Sequence, residues 1–252
     1  MRGLGGDKIK EEKERLRKEI WDKLLETGIA LPPPPHGRIP NFKGAEVAAR
    51  ILAELPEWKR AQVVKVNPDS PQRWVRLRAL VEGKILLMPT PRLREGFILL
   101  DPRAIPRNLL DRASTIRGAF EFGVKLPRVE DLVERIKRVD FIVEGSVVVN
   151  RWGERLGKGE GYGELEYAIL LELGIIDPNV PIATTVHDIQ VVDRRIPQDP
   201  YDVPVDLIVT PTRVIRVGER GLRPPGILWD YVDERKLREI PLLMELRGRD
   251  AR

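Results

Sequence analysis

The chain contains no cysteine. That excludes disulfides, thiolate catalysis and cysteine-bound zinc. Histidine is almost absent too: His36 and His187 are the only two, so no multi-histidine metal site can form. No apolar run approaches the roughly 18 residues of a membrane span, and Met1 to Gly6 has no signal-peptide pattern. These absences predict a soluble, intracellular, cytoplasmic protein with no membrane partner. There is no internal repeat, and no aromatic-rich run of the RNA-recognition type follows Ile215.

The 252 residues are 42% hydrophobic and 33% charged, which suits one large α/β domain with a sizeable core. The net charge of +5, from 44 basic and 39 acidic residues, is modest and interspersed. It fits anionic small ligands or weak nucleic-acid contact and demands neither. Arginine well in excess of lysine, proline-stiffened loops and missing cysteine together read as a thermophile signature.

Periodicity predicts a helix over Asp7 to Glu26, capped by Asp7, with Leu16, Ile20 and Leu24 on one face. Pro32 to Pro35 predict an extended polyproline connector. Further helices are expected at Ala45–Leu55, around Gln72–Val81, at Arg107–Ala113, Val129–Lys137 and Glu164–Leu173, and a frayed one over Leu237–Arg252. Strands are expected at Gln62–Val66, Lys84–Met88, Phe97–Leu100, Ile182–Val186, Leu207–Thr210 and Val214–Val217. Phe141 to Val149, apolar on both faces, reads as one buried parallel strand. Strands alternating with helices predict an α/β fold: a mostly parallel, Rossmann-like sheet flanked by helices. The chain divides into an N-terminal helix and connector (1–43), the body, and a C-terminal extension (220–252), all within one domain spanning 1–252.

In such sheets ligands bind at the carboxyl ends of strands. There lie Pro89-Thr90-Pro91, His187-Asp188 and, most informatively, Arg155-Leu156-Gly157-Lys158-Gly159-Glu160-Gly161-Tyr162. Glycines let backbone N–H groups approach an anion, a following helix adds its positive N-terminal end, and Arg155 and Lys158 supply full charges. The spacing is neither a Walker A loop nor a dinucleotide fingerprint. A tight turn needing positive φ explains the same eight residues equally well.

Several separated segments resemble one family in the right order, from about Lys8 to Ile215: Lys13-x-x-x-Arg17, the strand before R-L-G-K-G-x-G-Y, and Asp202-Val203-Pro204-Val205-Asp206 ahead of Thr210-Pro211. The chain resembles 5-formyltetrahydrofolate cyclo-ligases (methenyltetrahydrofolate synthetases). Arg38 to Gly44, Gly157 to Tyr167 and Val186 to Asp193 resemble the divergent branch of methenyltetrahydrofolate synthetase domain-containing proteins. The resemblance implies a sugar-isomerase and CoA-transferase-like fold, ATP and Mg²⁺ as cofactors, a folate substrate, and cyclisation of 5-formyltetrahydrofolate to 5,10-methenyltetrahydrofolate through phosphorylation of the formyl oxygen. It also implies an alternative, a non-catalytic nucleotide- or RNA-binding module, because in multidomain relatives this unit sits beside an RNA-recognition domain.

By that resemblance Lys13, Arg155 and Lys158 are the catalytic cations. ATP would be held by Lys13, Arg17, Arg155, Gly157, Lys158, Glu160 with Gly159 and Gly161, and Tyr162. Lys13 and Arg17, one turn apart, otherwise read as a solvated face, and Tyr162 as a core aromatic. The active enzymes continue Tyr-Tyr-Asp-Arg after the glycines, whereas this chain has Tyr162-Gly163-Glu164-Leu165. Glu164 would take the place of the metal-binding aspartate, with Asp202 or Asp206 as the second carboxylate or as the orienter of a basic group; in plainer terms Glu164 is a first-turn glutamate favoured by the helix dipole, and Asp206 a turn or cap residue. On the folate side stand Asp69, Trp74, Met88 and Tyr162, with core packing the plainer role for Trp74 and Met88. His187, beside Asp188, reads as structural rather than as half of an acid–base pair.

Overall fold

The computed structural model describes residues 4–250. The first helix, α1 (Leu4–Glu26), already includes Leu4, so Asp7 lies in its first turn rather than capping it. Ranges for the strands are β1 (Ala30–Leu31), β2 (Asn41–Phe42), β3 (Val63–Val66), β4 (Ile85–Pro89), β5 (Phe97–Leu100), β6 (Val124–Leu126), β7 (Phe141–Glu144), β8 (Val148–Asn150), β9 (Arg155–Leu156), β10 (Ile182–Thr185), β11 (Val191–Val192), β12 (Leu207–Val209) and β13 (Val214–Arg216). After α1 come α2 (Ala45–Ala53), α3 (Pro56–Arg60), α4 (Arg73–Val81), α5 (Leu110–Ala113), α6 (Ile116–Phe122), α7 (Val129–Arg135), α8 (Tyr162–Glu172), α9 (Glu234–Glu239) and α10 (Pro241–Asp250). The predicted frayed end beyond residue 250 lies outside the described residues.

Eight strands form one sheet in the order β13-β12-β10-β7-β3-β4-β5-β6. The five central strands, β12 to β4, run parallel, and the pairings outside them are antiparallel. This is the mostly parallel α/β architecture that the sequence implied. Alternation along each strand splits the core into two layers. Val64, Val66, Leu86, Met88 and Val143 face α2 and α4 to α6, while Leu87, Ile142, Ile182 and Ile208 face α7, α8 and α10. A third cluster packs the Leu16, Ile20, Trp21 and Leu24 stripe of α1 against Val147, Val148 and Leu156.

Two expectations needed correction. Phe141 to Val149 is not one strand. It breaks at Gly145-Ser146, and β8 leaves the main sheet to build a three-stranded sheet, β11-β8-β9. Both halves are fully buried, so hydropathy could not reveal the change of sheet. The Pro32 to Pro35 connector bends instead of running extended, with Arg38 N donating to the Pro35 carbonyl across the β1–β2 hairpin tip at 3.0 Å.

Helices α5 and α6 cross so closely that a Cβ on Gly118 would lie 1.8 Å from the Arg112 carbonyl oxygen. Backbone cannot swing aside as a side-chain tip can. Gly118→Ala is therefore expected to destabilise the fold by about 3 kcal/mol, the upper end of overpacking costs, read as a lower urea midpoint at unchanged m-value. A midpoint equal to the parent's would refute the close crossing.

Candidate functional site

The chain order places a topological switch point between β3 and β7. From β3 the chain crosses through α4 to β4 on one side, and it later enters β7 on the other. The crevice beyond the carboxyl ends of these strands is where such folds bind ligands. A cavity of about 520 Å³ opens there. Its floor and walls come from Asn67, Pro68 and Asp69 after β3, Thr90 to Arg92 and Arg94 after β4, Gly145 after β7, and Arg38 and Ile39 before β2. The remaining wall is the glycine loop and the start of α8: Arg155, Gly157, Lys158, Glu160, Gly161, Tyr162, Gly163, Glu164 and Glu166. The loop follows β9 of the small sheet, not a strand of the main sheet as the sequence suggested, and β8–β9 carries it over the crevice.

Within the loop Gly159 and Gly161 take φ of +102° and +73°, in the left-handed region open to glycine. So the turn geometry and the cradle, weighed as alternatives in the sequence, coexist. The Lys158 ammonium sits 3.0 Å from Glu160 and is 36% exposed. Arg92 approaches the same carboxylate at 3.6 Å. Arg92 and Leu93 have φ of 58° and 53°, and non-glycine residues held there cost of order 1–3 kcal/mol each. Arg92 thereby joins Lys158 in the cavity lining, on the same Glu160 carboxylate.

Arg155 is fully buried. It donates to the Gly145 carbonyl at 3.0 Å and to Glu164 Oε1 at 2.5 Å. Burial opposes ionisation of Glu164, yet the adjoining Arg155 guanidinium prevails and holds its carboxyl below the usual range. Lys13 does not line the cavity. It is buried and bonds Asp199 at 2.6 Å and Asp202 at 2.5 Å. Burial and the neighbouring Glu164 push the Asp202 carboxyl up. Arg17 braces the loop from behind, its Nε donating to the Gly157 carbonyl at 2.8 Å. The solvated face considered for Lys13 and Arg17 does not exist, since both are over 90% buried.

The two carboxylates expected to hold metal are thus each committed to a cation, Glu164 to Arg155 and Asp202 to Lys13. Among the described residues no group of three or more His, Cys, Asp or Glu stands ready to hold a metal ion. Asp69 and Tyr162 do line the cavity, with the Lys236 ammonium of α9 over the Tyr162 ring at 5.6 Å. Trp74 and Met88 do not. Met88 is wholly buried in the core, and Trp74 lines a separate small depression between α2 and α4. Asp206 joins Arg220 and Arg223 and accepts from Ile182 N, a structural post. His187 caps the turn after β10, its Nδ1 accepting from Ile189 N.

Sequence reasoning missed the charge centre beneath the cavity. Lys65 lies in register with Leu87 and Ile142, on the face covered by α8. It is wholly buried and donates to Asn67 Oδ1 at 2.7 Å, to Glu144 at 2.8 Å and to Glu166. Burial works against the ammonium, but the two carboxylates raise the Lys65 pKa overall. Burial and the nearby Glu144 push Glu166 up to about 8 despite Lys65. The available signal was a lone lysine inside the β-branched run of β3, two residues before the Asn67-Pro68-Asp69 turn, with Glu144 closing β7 and Glu166 early in α8.

The family description "5-formyltetrahydrofolate cyclo-ligase family" matches residues 9–211. The methenyltetrahydrofolate synthase domain-containing protein of Mus musculus is 42% identical over 244 residues, 94% of this chain and 64% of its own length. The Homo sapiens protein of the same name is 40% identical over 244 residues, 94% of this chain and 62% of its own. The chain therefore spans less than two thirds of the length of these relatives. The solved 5,10-methenyltetrahydrofolate synthetase of Aquifex aeolicus superposes with a TM-score of 0.50 at 25% identity, covering 84% of this chain and 96% of that one. A match running from α1 through β12, over a cavity walled by the R-L-G-K-G loop, makes this chain a member of the 5-formyltetrahydrofolate cyclo-ligase family.

Proposed function

We propose that this chain is an ATP-dependent 5-formyltetrahydrofolate cyclo-ligase, forming 5,10-methenyltetrahydrofolate in the switch-point cavity. The observation that carries the reading is that Lys158 and the glycine loop line one cavity together with Asp69. Backbone N–H groups at the start of α8, an eleven-residue helix, and the Lys158 charge suit the phosphates of ATP. When bound, ATP supplies the phosphoryl group that turns the formyl oxygen into a leaving group. Arg155 fixes the loop by tying Gly145 to α8, Arg17 fixes it from behind, and the bent connector with Arg38 and Ile39 helps wall the site from water. Phosphoryl chemistry of this kind relies on positioning and electrostatics more than on a protein nucleophile.

A protein-held Mg²⁺ does not fit the residues as they stand, because Glu164 and Asp202 each already neutralise a buried cation. No step is assigned to it.

The test is turnover of 5-formyltetrahydrofolate with ATP, supplied as its magnesium salt, followed by the absorbance of the methenyl product. Product is expected, with kcat/KM at least 100-fold lower in Lys158→Ala, a loss typical of removing one electrostatic stabiliser. ATP binding by calorimetry without product would assign the nucleotide site to another substrate. Neither product nor ATP binding would overturn the reading in favour of the binding module.

A further inference from the structure

Three of the cations that the resemblance assigns to ATP are committed elsewhere. Lys13 is held by Asp199 and Asp202, and Arg17 by the Gly157 carbonyl and Glu14. Arg155 is bonded to Glu164 and the Gly145 carbonyl. Lys158 remains in the cavity lining, paired with Glu160, which Arg92 also approaches. Two cations sharing one carboxylate leave little positive charge for a triphosphate.

A further ammonium stands at the glycine loop, and it comes from outside the family-matched residues 9–211. Lys236 lies on α9, in the C-terminal extension. Its Nζ is 3.3 Å from where a Cβ would stand on Gly161, the N-cap of α8, and 5.6 Å from the centre of the Tyr162 ring. Gly161 and Tyr162 both line the cavity, and Lys236 stands just outside that lining. The short helix is fixed in place. Asp233 Oδ1 accepts from Lys236 N at 2.7 Å, Leu237 packs against the same core cluster as Tyr162, and Glu239 faces Arg94 of the turn after β4 at 3.8 Å.

The Lys236 ammonium itself is poorly satisfied. Only 16% of its side chain is exposed, yet among the described residues it makes no hydrogen bond, and its nearest carboxylate, Asp233, is 3.7 Å away. Glu164 is within electrostatic reach but is bonded to Arg155. A cation at a helix N-terminus also meets the positive end of the helix dipole, which opposes it. An ammonium held against that end is relieved when an anion comes between the two.

We propose that Lys236 is a phosphate-binding residue of the switch-point cavity, acting on the same polyanion as Lys158 and the loop N–H groups. The proposal deepens the cyclo-ligase reading and rests on it only for the identity of the anion. Rotation about the flexible four-carbon stem carries the ammonium from the Tyr162 face to an oxygen held at the start of α8. The C-terminal extension is then part of the binding site.

Calorimetry on the full chain with inorganic tripolyphosphate and with ATP tests this, the methenyl product being followed on the same samples. Lys236→Ala is expected to weaken both anions about tenfold, the effect of losing one hydrogen bond to a charged group, at unchanged melting temperature. Lys236→Arg should restore most of the affinity. Arg238→Ala, which removes an exposed charge from the same helix, should leave it unchanged; equal losses in Lys236→Ala and Arg238→Ala would reduce the effect to net charge and overturn the proposal. Tripolyphosphate binding that depends on Lys236, in a protein that forms no methenyl product, would sustain the proposal and sink the cyclo-ligase reading. Product formed with equal ATP affinity in the parent and Lys236→Ala would overturn the proposal and leave that reading standing. A parent that binds neither anion would overturn both.

Discussion

Lys65→Met is expected to lower the stability of the fold by about 4 kcal/mol, because removing one partner of a buried ion pair leaves uncompensated charge in the interior. The linear part of the side chain is nearly preserved, so the loss is electrostatic rather than a cavity. It should be strongly pH dependent, and the sign follows from the carboxyls. Burial already pushes the folded Glu166 carboxyl up to about 8, against an ordinary 4.5. Without Lys65 it is pushed higher still. A raised carboxyl binds its proton more tightly in the folded state than in the unfolded, so stability falls as pH rises from the unfolded value towards the folded one. The deficit of Lys65→Met should therefore be smallest below about pH 8, where Glu166 is protonated in parent and variant alike, and grow as pH rises above it. Urea unfolding from about pH 5 to 10 reads it directly. Adding Glu144→Leu and Glu166→Leu to the same chain should recover most of the loss, since apolar side chains of similar volume commonly replace buried ion clusters without penalty. A pH-independent deficit would mean that Lys65 stabilises by packing and that the carboxylates are solvated.

The cluster also shows what could be read from the residues alone. The main strands and helices and the mostly parallel sheet followed from periodicity, because that depends on local pattern. The loss of continuity at Gly145 did not. Phe141–Glu144 and Val148–Asn150 are equally buried, and only long-range pairing, β7 with β3 and β10 but β8 with β9 and β11, separates them. The site residues divide in the same way. Lys158, Gly157, Gly161, Tyr162 and Asp69 line the cavity, while Gly159 backs onto the Arg17 guanidinium. Trp74 and Met88 were candidates for chemistry by type alone, and packing claimed them. Glu144, Lys65 and Glu166 are 79 and 101 residues apart from lysine to each glutamate; nothing local announces that β3, β7 and α8 bring them together.

Partner choice decides the role of the two lysines that the resemblance assigned to phosphate. Lys13→Ala is expected to destabilise by about 3 kcal/mol, the lower end of the cost of breaking a buried pair, since Asp202 would remain buried beside Glu164 with no ammonium. Lys158→Ala should change stability by less than about 1 kcal/mol, because its pair with Glu160 is part-exposed and such pairs contribute little. Binding should show the reverse order. Lys158 faces the cavity, so its loss is expected to weaken ATP at least tenfold at unchanged melting temperature. Lys13 lies behind the wall and acts through Asp202, Asp199 and the position of α1, so its loss should weaken ATP only as far as the loop loosens. The Lys13→Ala deficit should also shrink on acidification. Asp202, raised already by burial and Glu164, takes up its proton more readily once the ammonium is gone, and the neutral acid no longer needs it. Thermal unfolding at pH 5 and 8 with calorimetric titration of ATP on both variants separates the roles. A Lys13→Ala protein of parental stability that no longer binds ATP would return Lys13 to the phosphates and require the Lys13–Asp202 contact to open in the nucleotide-bound state.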